Sequence, residues 1–261
     1  AMDMLAYANF WKASGVEDQD KRMEVYQKAL QYAEDAKHQF SSISYVSPRS
    51  CSLWTGAPHA EYYQELALWE TDLKKRRYLL EKAVMDGTQA IKQAESTGYP
   101  EIVWLANHVL SKALVAVAQI ENRPEEKKRL LEKALDHRNE TIRISSIANF
   151  FIYWDTGWNW NYLADLKAEL SNVERDSEKR KNMLEEAISD KERGLQLIIR
   201  VVLYHEKRGV LTYFSALGGY LYSLGELFNR LYGLTHSNEH QRKAMKTFEE
   251  AAESFQRLNL F

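Results

Sequence analysis

The sequence predicts an all-α protein, an α-α superhelix of about five antiparallel helix pairs, and three observations predict it. A helix-forming stretch is written five times, and its small residue recurs at Ala29, Ala83, Ala134, Ala187 and Ala251. Apolar residues around each of these anchors fall at helical spacing. Only 11 Gly and 4 Pro in 261 residues leave little material for the turns of a many-stranded sheet.

The clearest copies are residues 74–84, 126–135 and 179–188, with looser ones at 21–30 and 245–252. The anchors lie 54, 51, 53 and 64 residues apart, as in an array with insertions between its units. Three residues before each anchor stand Tyr26, Leu80, Leu131, Leu184 and Phe248, all large and apolar. Seven after it, the first four copies carry Ala36, Ala90, Thr141 and Gly194. These positions share one stripe of a helix with 3.6 residues per turn. Small residues two turns apart let a neighbouring backbone approach, and the large ones fill the grooves on either side. The stripe holds no reactive side chain, so it describes packing and not a reaction.

Residues 4–14 read as a short aromatic-rich helix closed by Gly15. Glu17, Asp18 and Asp20 place negative charge where the dipole of the next helix favours it, and that helix runs to about Phe40. Residues 42–59, with Pro48, Gly56 and Pro58, form a loop insertion long enough to be functional. A helix over residues 60–71 carries Tyr62, Tyr63, Leu66 and Trp69. The second copy starts near Asp72 and stops at Gly98, with Pro100 beyond it. Residues 101–121 make a strongly apolar helix. Asn122-Arg123-Pro124-Glu125 offers a cap and a first-turn proline, and the third copy runs on toward Phe150. An aromatic patch over residues 150–162 bends at Asp155-Thr156-Gly157, and a helix follows to about Leu170. The fourth copy extends from Asp176 to about Lys207 and is closed by Gly209. Residues 210–234 are helical despite Gly218, Gly219 and Gly225, and the last copy runs from near Asn238, whose side chain can cap, to Leu260. The expectation is ten helices in one domain, with units at 1–41, 60–98, 100–150, 158–208 and 210–261.

Composition removes several classes of function. With 35 basic against 37 acidic residues and a net charge of −2, the chain lacks the basic excess of a protein that tracks phosphates. The one cysteine, Cys51, excludes an intramolecular disulfide framework and a four-cysteine zinc site. No apolar run approaches the ~20 residues of a membrane span; the longest, residues 195–203, is broken by Arg200. The first residues lack a basic stretch followed by an apolar core, and Ala1 before Met2 reads as a cloning scar on a piece of a larger protein. A cytoplasmic location is expected. His236-Ser237-Asn238-Glu239-His240 matches the spacing of a zinc-protease motif, but Ser237 and Asn238 form a helix start that leaves His236 outside the helix. No metal is expected there.

A large apolar residue three before an alanine, in the second helix of each pair, resembles the tetratricopeptide repeat. In that family a small residue also precedes the large one by four positions; Ala244 matches this, whereas Arg22, Arg76, Lys127 and Arg180 do not. The family's Leu-Gly-x-x-aromatic appears once, at Leu224-Gly225-Glu226-Leu227-Phe228. The period here exceeds the family's 34 residues, and the closing proline of each unit is missing.

The resemblance implies a non-enzymatic scaffold or regulatory module that binds a protein or peptide, with no cofactor. The expected concave groove is lined by the first helices of the pairs, through Tyr62, Trp69, Trp104, His108 and Trp160. Trp154 and Trp158 complete the aromatic candidates. The alternative is a small-molecule sensor or an α/α-toroid enzyme that uses the aromatic patch with Asp155 and Asp165; a sealed chamber with converging carboxylates would favour it, and an open groove the scaffold. Phe255, Leu258, Leu260 and Phe261 form a bare apolar end, which adds the expectation of a homodimer through the C-terminal helix.

Overall fold

The computed structural model describes residues 8–9, 12–13, 16, 18–40, 57–147, 153–207 and 213–257. Among them are nine helices and no strand. In order these are α1 (Gln19–Phe40), α2 (Ala57–Trp69), α3 (Leu73–Thr97), α4 (Pro100–Ile120) and α5 (Pro124–Ile147), then α6 (Tyr153–Val173), α7 (Ser177–Glu206), α8 (Tyr213–Thr235) and α9 (Asn238–Gln256). Two compact units divide the chain, Ala1–Ile144 and Ser145–Phe261. In the first, α1 packs on α2, α2 on α3 and on α4, and α3 on α4. In the second, α6 packs on α7, α7 on α8 and α8 on α9. The all-α class and the stacking of consecutive helices are as the sequence implies.

Local chemistry sets the helix ends. The Asp72 carboxylate accepts from the backbone N–H groups of Lys74 and Lys75 at 2.8 and 3.1 Å, which opens α3. Asp176 does the same for α7, accepting from Glu178 and Lys179 at 2.9 and 3.0 Å. Each satisfies donors that the first turn of a helix leaves without partners. Gly98 closes α3 at φ 71°, a left-handed conformation that favours glycine.

The repeated stripe is the interior seam. Ala29, Ala83, Ala134 and Ala187 are 0 % exposed and Ala251 is 2 % exposed, while Tyr26, Leu80, Leu131 and Leu184 are buried beside them. Each helix thus buries its recurring face. Where still closer approach is needed, glycine replaces alanine. A Cβ on Gly194 of α7 would stand 2.7 Å from the Gly157 carbonyl of α6, so these helices cross at backbone contact. Gly218 and Gly225 of α8 receive the rings of Phe255 and Phe248 from α9; added Cβ atoms would meet them at 2.8 and 2.7 Å.

Several boundaries differ from expectation. α2 begins at Ala57 rather than residue 60, and α6 runs unbroken through Asp155-Thr156-Gly157. Gly157 is there for packing: a Cβ would meet Ile198 Cδ1 at 2.8 Å. α5 opens with Pro124, and the Arg123 carbonyl, not Asn122, takes the first-turn bond, from Lys127 at 2.9 Å. Ser237 rather than Asn238 stands at the N-cap position of α9, with no side-chain capping bond. α4 is long and apolar enough to cross a membrane, a helix that the count of unbroken apolar runs passes over; half of its most apolar stretch is buried inside the protein. Most of the helix over residues 4–14, most of the 42–59 insertion including Cys51, and Leu258, Leu260 and Phe261 lie outside the described residues.

Candidate functional site

A trough in the second unit lies where α7 and α9 flank α8. Leu195, Ile199, Val202 and Leu203 line it from α7. Phe214, Leu217 and Leu221 of α8 form its floor, and Glu250, Glu253 and Ser254 of α9, with Arg257 at its C-cap, form the far wall. Its volume is about 270 Å³. Ile199 and Leu203 remain 36 % and 49 % exposed, so the apolar wall faces solvent. One end is drawn together by Arg257, whose Nη1 lies 3.4 Å from Glu206 Oε1 and whose guanidinium sits 5.2 Å from the Phe214 ring centroid. Near the same end His205 stacks on Tyr213 with centroids 4.2 Å apart.

A second depression, of about 300 Å³, belongs to the first unit. Met23, Leu66, Tyr78 and Leu79 line it with Gln27, Glu70 and Lys75. Close by, the Arg22 guanidinium lies 4.1 Å from the Trp69 ring centroid, and Gln19 Nε2 donates to the Trp69 carbonyl at 2.8 Å. These contacts tie α1 to the end of α2.

A polar cluster spans α6, α7 and α8. Lys191 is 0 % exposed, yet its Nζ reaches Asp165 Oδ1 at 2.5 Å. Ser223 Oγ and Asn161 Nδ2 also donate to the Asp165 carboxylate, each at 3.3 Å. Burial pulls the Lys191 amine below its ordinary pKa against the opposing pull of Asp165. Burial likewise pushes the Tyr220 hydroxyl far up, with Asp165 adding to the effect. Two residues on in α6, Lys167 bonds Asp190 and Glu186 at 2.7 and 2.9 Å. Burial alone lowers the Lys167 pKa, but those carboxylates outweigh it and the amine stays above its usual value. Arg230 of α8 donates to the Ala168 carbonyl, Ser171 Oγ and Asn172 Oδ1 at 2.6, 2.9 and 2.7 Å, satisfying acceptors near the end of α6. Asp165 thus serves a three-helix clasp, and the side chain of Asp155 lies outside the described residues.

In the first unit α4 and α5 share a smaller polar set. The His137 Nδ1 and Asn107 Oδ1 atoms are 2.9 Å apart, and Asn107 Nδ2 donates to the Val103 carbonyl. The amide oxygen is therefore the acceptor, and His137 carries a proton on Nδ1. Arg138 Nη1 lies 2.9 Å from His108 Nδ1, which must accept because guanidinium only donates. Trp104 stacks on that His108 ring at 5.3 Å.

The predicted aromatic candidates therefore scatter. Tyr62 is 1 % exposed and packs against Ala33, so it belongs to the core. Trp69 is half-buried under Arg22, and Trp104 and His108 form the pair on α4. Trp158 packs against the buried cluster of Ile198, Val202, Phe214 and Tyr220, with its ring 6.0 Å from that of Tyr220. Trp160 lies 5.3 Å from the Arg193 guanidinium. Trp154 stands in the first turn of α6, and its side chain lies outside the described residues. None of the six whose side chains are described lines the α7–α9 trough. Its α7 wall coincides with the longest apolar run of the sequence, residues 195–203, but the exposure of that run depends on how far α7 and α9 stand apart. His236 lies outside α9 at φ 51°, and His240 Nδ1 is 2.9 Å from Thr235 Oγ1, so the two histidines share no helix face.

Neither a protein-family model nor a curated protein matches the chain. Solved structures do align with it. A filament named DHF58 is 19 % identical over 81 % of this chain and 97 % of its own, with a TM-score of 0.40. A de novo designed helical repeat protein is 19 % identical over 87 % of this chain and 97 % of its own, with a TM-score of 0.36. A circular tandem repeat protein is 16 % identical over 98 % of this chain and 58 % of its own, with a TM-score of 0.38. The chain's own helix pairs, with their recurring buried anchors, make it a helical-repeat protein.

Proposed function

We propose that the chain is a non-enzymatic scaffold that holds a segment of a partner protein in the trough between α7 and α9. The observation that carries this reading is the trough itself: an open cleft in which apolar side chains of α7 and α8 meet a polar wall from α9, with Ile199 and Leu203 left facing solvent. At about 270 Å³ it lies just below the roughly 300–1,000 Å³ of enclosed small-molecule sites. That size suits a few inserted side chains. The groove lies between α7 and α9, the second helices of two pairs, with the first helix α8 as its floor.

The test is selection from a library of displayed random dodecapeptides on the intact chain, with Leu203→Asp as the comparison. Leu203 is 49 % exposed, so the substitution spares the core. Selected peptides should bind the parent and lose at least about tenfold in affinity on the variant, the worth of ~1.4 kcal/mol. An empty selection, or equal binding to both proteins, contradicts the reading.

A further inference from the structure

Resting on that reading, we infer that the occupant is a short amphipathic helix whose flank carries lysine or arginine. Two features of the trough specify this chemistry. First, all three of its walls are helices. Their interior backbone groups are already paired, so the cleft has no strand edge to receive an extended peptide. A ligand that satisfies its own backbone, and inserts only side chains, fits such a surface.

The α7 wall runs from Leu195 to Leu203, about 12 Å at 1.5 Å per residue. That length matches some two turns of a docked helix, with anchors at the first, fourth or fifth, and eighth positions.

Second, the rim is acidic. Arg257 is the one cation among the lining residues, and Glu206 engages it. Glu250 lies 3.7 Å from Lys246 Nζ in an exposed pair that water and salt weaken. Glu253 has no ion pair among the described residues. Two carboxylates thus flank an uncharged wall of Leu195, Ile199, Val202 and Leu203. A basic flank on the incoming helix complements them, and an acidic one is repelled.

The test is selection of two displayed libraries on the full chain: 14-residue peptides on an alanine-rich helical frame, and the same frame with a central proline. The helical library should be enriched and the proline library not. Lysine and arginine should exceed aspartate and glutamate at the flanking positions of the winners, and resynthesised basic winners should bind about tenfold tighter than their Glu-substituted versions. On Glu250→Lys/Glu253→Lys, both surface changes, the preference should reverse. Winners with no basic bias, an unchanged preference on the double variant, or equal enrichment of the proline library overturns this inference while leaving the docking groove standing. No enrichment from either library, together with indifference to Leu203→Asp, overturns the groove itself.

Discussion

Gly194 and Gly219 share a residue type and differ in what surrounds them. An alanine at 194 would press on the Gly157 backbone and on Trp160 Cβ, whereas one at 219 meets nothing within 4 Å. Overpacking of the first kind costs about 1–3 kcal/mol, which exceeds the roughly 1 kcal/mol that alanine gains over glycine in a helix. Gly194→Ala should therefore lower the urea midpoint and Gly219→Ala should raise it; shifts of one sign in both would contradict the backbone crossing of α6 and α7. The Lys191–Asp165 pair carries a similar asymmetry. Asp165→Asn leaves a fully buried ammonium without its counter-charge, while Lys191→Met leaves a carboxylate whose side chain is 46 % exposed and can hydrate. Denaturation should show the Asp165 change costing more, by on the order of 2 kcal/mol after allowing for the wet edge of the pair. His137 adds a pH effect. Burial lowers its pKa, so just below the ordinary value of ~6.5 the unfolded chain binds the proton more readily than the folded one. Stability falls as pH drops through that window, and His137→Gln should flatten the loss between about pH 7 and 5. The small residues at 83, 134 and 187 were legible because repetition marks them. Lys191 was not, since a lysine among Glu and Lys letters reads as a solvated face until Asp165 and Tyr220 are brought over it.

At the scale of single helices, the caps that open α3 and α7 were written plainly, because Asp72 and Asp176 each stand just ahead of a copy of the repeat. Asp176→Ala should cost about 1 kcal/mol, measured by thermal or chemical unfolding. Backbone bonds from Lys75 and Lys74 hold the Asp72 carboxyl below its ordinary pKa. Its contribution is therefore full above about pH 4, the unfolded value, and fades as pH falls through the lower folded one. Parent and Asp72→Ala proteins should differ in stability at pH 6 and converge toward pH 2; a constant gap would remove the carboxylate from the cap. Glycine was the misleading letter. Gly157 reads as a turn after Asp155-Thr156, yet it lies within α6 because its bare face admits Ile198 and Gly194. A residue that breaks helices by propensity is kept inside one where packing against a neighbour outweighs that cost.

At the scale of the molecule, the packing among the described helices is between near neighbours in sequence, and each unit has its own core. Leu231, 2 % exposed, sits in the second unit's core with Leu184, Ala187, Leu227 and Phe228. Leu231→Ala should cost about 2–5 kcal/mol locally. Amide exchange should then accelerate in α7–α9 and leave α1–α3 close to the parent, as nearest-neighbour coupling implies. Uniform acceleration would instead make the chain one cooperative block. The hairpin array was legible at this scale, because five copies of one stripe require five similar interfaces. The trough was not, since it arises from the relative registers of three helices and no local pattern encodes those. The most direct measurement is the amide-exchange footprint of a selected basic helical peptide on the intact protein. Added protection should fall at residues 195–203, 214–221 and 250–257. A footprint around Trp104 and His108, or around Trp160, would move the binding surface elsewhere and end the case for the α7–α9 trough.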